Sequence, residues 1–102
     1  MANRLDLHRE LSEIPGVLKV YFNPPESVKM NYPCIRYKLG GIDQKFADNI
    51  TFFNTKKYEV TVIDPNPDSA IYEEIIKHFR MCRLDRFYMA SNLYHFVITL
   101  YY

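Results

Sequence analysis

Apolar residues first recur along the chain at helical spacing. Leu7, Leu11 and Ile14 fall on one stripe while Arg9, Glu10 and Glu13 lie off it, which predicts a helix over Asn3–Ile14. Pro15-Gly16 ends that helix. "VLKVYFN", Val17 to Asn23, then reads as a short strand, stopped by Pro24-Pro25, whose rings cannot donate to a ladder.

The period changes to two in "CIRYKLGG", where Ile35, Tyr37 and Leu39 alternate with Arg36 and Lys38. "KYEVTVID" repeats the pattern, with Tyr58, Val60 and Val62 against Glu59 and Thr61. Between these two strands lies "GIDQKFADNITFFNTK", a connection far longer than a tight hairpin turn. Ile71, Ile75 and Phe79 then restore a helical stripe. "CRLDRFYMA" and "LYHFVITLYY" flank Ser91-Asn92 as a closing hairpin, with Tyr94, Phe96, Ile98 and Leu100 on one face. The predicted order is α-β-β-β-α-β-β. It implies an α+β domain in which two helices pack on one face of a mainly antiparallel sheet of about five strands.

Three Asx residues precede the second helix, in "VIDPNPDSAIYEEII". Carboxylates at strand ends can be catalytic, but each residue here has a local use. Pro67 turns Asn66 away from helical geometry, so Asn66 reads as the N-cap and Pro67 as the first helical position. Asp68 then complements the helix dipole, and Asp64 closes the strand-to-helix turn through an Asx hydrogen bond.

At 102 residues the chain is expected to form one domain over 1–102. Its 13 Lys and Arg against 12 Asp and Glu give a net charge of +1, which argues against a protein built to neutralise many phosphates. The start "MANRLDLHREL" has no apolar core of a signal peptide, and "FVITLYY" is too short to span a bilayer, so no membrane partner is expected. Cys34 and Cys82 show no metal-ligand spacing and read as free thiols.

Catalytic constellations are missing from the pattern. Glu74 and Lys77 near Pro67-Asp68 have the wrong spacing for a divalent-metal nuclease and would share one helix. His8, His78 and His95 fall in separate elements, and no Gly-rich phosphate loop or nucleophile elbow is present. The expectation is a non-enzyme with no catalytic, metal or cofactor site.

What stands out instead is aromatic content. Nine Tyr and seven Phe make up 16% of the chain, more rings than a small core hides easily. Several lie in Ile42–Thr55, where Phe46, Phe52 and Phe53 mix with polar residues, a composition that marks an interaction segment if it projects from the sheet. Tyr101-Tyr102 follow directly from a strand and would need cover if that strand were an edge.

The strand "YPCIRYKL", then "FADNITFFNTKKYEVTVIDPNPDS", an amphipathic helix and an aromatic hairpin together resemble the tail terminator (tail completion) proteins of long-tailed bacteriophages, over about residues 32–102. The resemblance implies a structural virion protein, made in the host cytoplasm, that forms a homo-oligomeric, generally hexameric ring at the head-proximal end of the tail. Such a ring stops tube polymerisation and offers a docking surface for the head. Implied partners are other copies of the chain, the tail tube protein and a head-neck connector protein, with isolated subunits able to stay monomeric until they meet the tube. Genome DNA would pass through the ring without specific binding.

Residues expected at subunit or tube contacts are Phe46, Asn49, Phe52, Phe53, Lys56 and Lys57, together with Tyr101 and Tyr102. Two alternatives stay open: another neck or head-completion connector protein, and a small α+β nucleic-acid-binding module in which Arg36, Lys38, Lys56 and Lys57 track phosphates.

Overall fold

The computed structural model describes residues 4–24, 29, 31–47 and 50–102, and for 41–55 the backbone alone. Its elements run α1 (Arg4–Ser12), β1 (Lys19–Phe22), β2 (Cys34–Ala47), β3 (Ile50–Asp64), α2 (Ala70–His78), β4 (Cys82–Ala90) and β5 (Leu93–Tyr101). This is an α+β fold with the element order that the hydrophobic pattern predicts. The five strands form one mixed sheet, ordered β1-β2-β3-β5-β4. β1 runs parallel to β2, and the other three pairings are antiparallel.

Period explains the core. Leu7 and Leu11 of α1, Ile71 and Ile75 of α2, and Ile35, Tyr37, Tyr58, Val60, Val62, Phe96, Ile98 and Leu100 of the sheet form one buried cluster. Those strand residues share one face by alternation, so both helices cover the same side. Each fully buried aliphatic chain contributes about 1.5–3 kcal/mol. Leu39, next in the alternation, is instead exposed.

Element ends follow local chemistry. Beyond α1, Gly16 takes φ +92°, a left-handed turn that a side chain would strain. The β4–β5 hairpin turns on Ser91 (φ 53°) and Asn92 (φ 63°), the two positive angles of a type I′ turn. The entry to α2 differs from its sequence reading. Ser69 is the N-cap, its Oγ accepting from the Tyr72 N–H at 3.3 Å.

Asp64 and Asn66 make successive Asx turns, accepting from the Asn66 and Asp68 amides at 2.8 and 2.9 Å. Asp64 therefore does what its position predicts, whereas Asn66 and Asp68 belong to the turn before the helix. Proline's preference for a first helical position was outweighed by the hydroxyl two residues later.

The largest correction concerns residues between the central strands. The described ones are not a loop: β2 and β3 stay paired from Cys34↔Ile63 to Ala47↔Ile50, with register shifts between Leu39 and Gly41 and between Lys45 and Phe46. A fourteen-residue strand spans about 46 Å, which accounts for the long axis of a molecule measuring 51 × 28 × 23 Å. The radius of gyration is 14.6 Å, where a compact chain of this length has about 13 Å.

Candidate assembly surfaces

Two features of the sheet leave backbone unpaired. β5 pairs with β3 only from Lys57 to Asp64, so from Ile42 and Lys56 outward β2 and β3 pair with each other alone among the described residues. The result is a two-stranded ribbon extending about 20 Å beyond the sheet. Its root is a bulge at Gly40, where an added Cβ would meet the Lys57 carbonyl oxygen at 3.3 Å. Isolated two-stranded hairpins are marginal in water, so a ribbon of this length gains most from a partner.

Phe46, Phe52 and Phe53 lie on the ribbon backbone, and their side chains are outside the described residues, as is the whole of Asn49. Lys56 stands exposed at the ribbon root. Lys57 is half-buried within the sheet, between Gly41 and Tyr101.

The second feature is β4, an edge strand paired only with β5 among the described residues. Leu84, Phe87 and Met89 are 39%, 50% and 55% exposed, and Met81 just before the strand is 58% exposed. Phe87 is fixed from behind by Phe96 (ring centroids 4.8 Å apart) and by Tyr94 (5.8 Å, nearly parallel). Tyr72 of α2 stacks on Phe96 in turn, and Ile76 lies exposed one helical turn further on.

The patch is thus a firm apolar shelf beside an open row of backbone donors and acceptors, the arrangement that invites strand addition. The sequence does not show it directly. In "CRLDRFYMA" the alternation breaks between Leu84 and Phe87, and the bulge at Asp85 brings Leu84, Phe87 and Met89 back onto one face. An alternation out of step by one residue was the available signal.

Tyr101 and Tyr102 occupy a different setting from the exposed edge considered for them. β5 lies between β3 and β4 and is no edge; the edge strands are β1 and β4. Tyr102 is half-buried: its amide donates to the Lys56 carbonyl at 3.0 Å, its ring stands edge-on to Phe79, and its hydroxyl donates to the Glu10 carboxylate. Glu10 also meets His78 Nε2 at 2.9 Å. The Tyr102 hydrogen bond, with help from His78, holds the Glu10 carboxyl below its usual range. Burial and the neighbouring carboxylate push the Tyr102 hydroxyl up to about 12. These groups join α1, α2 and the sheet.

Two imidazoles and both thiols are held within the fold. His8 Nδ1 lies 2.8 Å from the Tyr37 hydroxyl, and burial with Arg4 nearby lowers its pKa. His95 is buried beside the Leu93 carbonyl at 3.1 Å, and burial lowers its pKa too. Neither Cys34 nor Cys82 is in a disulfide; burial pushes the Cys34 thiol up to about 11 and raises that of Cys82, which leaves both poor nucleophiles.

Among the described residues no three His, Cys, Asp or Glu side chains converge as metal ligands, and no helix is long and apolar enough to cross a membrane. No protein-family model, curated protein or solved structure matches the chain.

Proposed function

We propose that this chain is a non-enzymatic structural protein of a long-tailed bacteriophage virion, a tail-terminator-type subunit. It closes into a homo-oligomeric ring, a hexamer by the resemblance, at the head-proximal end of the tail tube. One face of the ring copies the tube's subunit contacts; the opposite face lacks them, ends elongation and receives the head-neck connector. The observation that carries this reading is the pairing of a projecting ribbon with an apolar open edge on a small domain. Each needs a neighbour, and two unlike surfaces on one subunit suit head-to-tail contacts, which close into rings.

Magnitudes favour assembly on a template. Leu84, Phe87, Met89 and Met81 expose about half of their surfaces, roughly 400 Å² if each offers about 200 Å² in full. Burying that area is worth about 10 kcal/mol at ~25 cal/mol per Å². Association costs about 4–15 kcal/mol in lost freedom, so the edge alone leaves little surplus. A subunit monomeric in solution and ordered on the tube end follows, with ribbon contacts supplying the difference.

Electron microscopy of particles assembled without this chain tests the reading. Filled heads beside overlong or unjoined tails are expected; normal virions overturn it.

A further inference from the structure

The side of the sheet away from the helices has a charge pattern of its own. By register and alternation, Lys19, Arg36, Lys38, Lys57, Arg83 and Arg86 stand on this face. Glu59 and Asp85 are the acids among them: Glu59 sits 3.6 Å from Lys38 and 3.3 Å from Arg86, and Asp85 sits 3.2 Å from Arg83. Among the described side chains, six Lys and Arg and two Asp and Glu stand here, giving this face +4, against six and seven elsewhere, or −1. A nearly neutral composition therefore conceals a polarised molecule.

The arrangement is a trough. One cross-strand row runs Arg36–Thr61–Val97–Arg86 and the next Lys38–Glu59–Thr99–Arg83. Thr61, Val97 and Thr99 form a buried floor although, among the described residues, no helix covers this side, and hollows open along both rows. The cationic rims on β2 and β4 are three strand spacings apart, about 14 Å. That is close to the major-groove width of B-DNA, about 12 Å, which separates two phosphate backbones.

We infer that this face binds the phosphodiester backbone of duplex DNA without sequence preference. The floor carries no ring on which a single-stranded base could stack. Of the rings at its margins, Tyr88 lies against His95 at 4.7 Å, Tyr21 lies near the Lys19 ammonium, and Tyr101 is half-buried opposite Lys57. The other candidate, the acidic helical layer of a second copy, is partly engaged: Glu10 with Tyr102 and His78, and Asp6 with Arg9 at 3.8 Å. The inference rests on the charge of this face and stands apart from the ring reading.

Fluorescence anisotropy of two unrelated 30-base-pair duplexes, titrated with the purified chain at 25–200 mM NaCl, tests it. Equal affinities are expected for the two, with a log–log salt slope near −3.6 for about four phosphates neutralised, hence about 150-fold weaker binding at 200 than at 50 mM. Arg36→Gln with Lys57→Gln, checked for folding by circular dichroism, should flatten the slope by about 1.8. Arg86→Gln alone should flatten it by about 0.9. Lys77→Gln with Arg80→Gln, on the helical side, should leave it unchanged.

Three results overturn the inference: no duplex binding at 25 mM, equal losses from the helical-side pair, or tighter binding to single strands. Salt-sensitive self-association without DNA binding would assign the face to a second copy instead.

Discussion

Removing one oxygen tests how the two layers are joined. Tyr102 donates its hydroxyl to Glu10, which in turn meets His78, so α1, α2 and the end of the sheet share one polar node. Tyr102→Phe keeps the ring against Phe79 and the amide on the Lys56 carbonyl, deleting only the hydroxyl contact. A hydrogen bond to a charged acceptor contributes about 1.5–3 kcal/mol. The Glu10 side chain retains 29% of its exposure, and solvent there brings the expectation down to about 1 kcal/mol. For a domain of this size that lowers Tm by about 4–8 °C.

Urea denaturation of wild type, Tyr102→Phe, Glu10→Gln and the double variant at pH 7 should return a coupling of about 1 kcal/mol. The sign with pH follows from Glu10. Its folded pKa lies below its ordinary value, so the contribution is full above that value and is lost as pH falls through the folded one. A coupling below about 0.3 kcal/mol at pH 7, within the additivity expected of independent sites, would refute the node and leave the helix held by Leu7, Leu11, Ile14 and the His8–Tyr37 contact.

Other expectations follow from the surfaces and the buried imidazoles. Leu84→Lys with Met89→Lys should leave the monomer's circular dichroism unchanged and its stability within about 1 kcal/mol of wild type and abolish sedimentation with purified tail tubes; retained binding would clear β4 of a role. Phe52→Ser with Phe53→Ser should likewise impair assembly while the monomer stays folded, and unfolding would place those rings in a core. Burial lowers the pKa of His8 and His95, so the stability gained by keeping them neutral is full above their ordinary 6.5 and fades as pH falls through their folded values. The urea midpoint should drop from pH 7.5 to 5, by at most about 1.4 kcal/mol per pH unit for each group. A flat profile would refute that account.

Much of the molecule is set by periodicity. A helix must bury its stripe and a strand its alternate residues, so Leu7, Leu11, Ile71, Ile75 and the Ile35-to-Leu100 strand positions identify the core and, through it, the layering. Asp64's turn and the Ser91-Asn92 hairpin are equally local, because each depends on groups a few residues apart.

Sheet order is not local. Nothing in "LYHFVITLYY" states that it will sit between β3 and β4, since strand placement depends on which edges remain free once the other strands have paired. That choice protects Tyr101 and exposes Leu84, Phe87 and Met89. The ribbon escaped the sequence for a related reason: "GIDQKFADNITFFNT" has no clean alternation, and its extended state comes from two strands already held in register at Ile35↔Val62. Charge was legible only as a sum. Pairing five strands side by side gathered six cations, from four of them, onto one face, an arrangement that a linear count near zero cannot express.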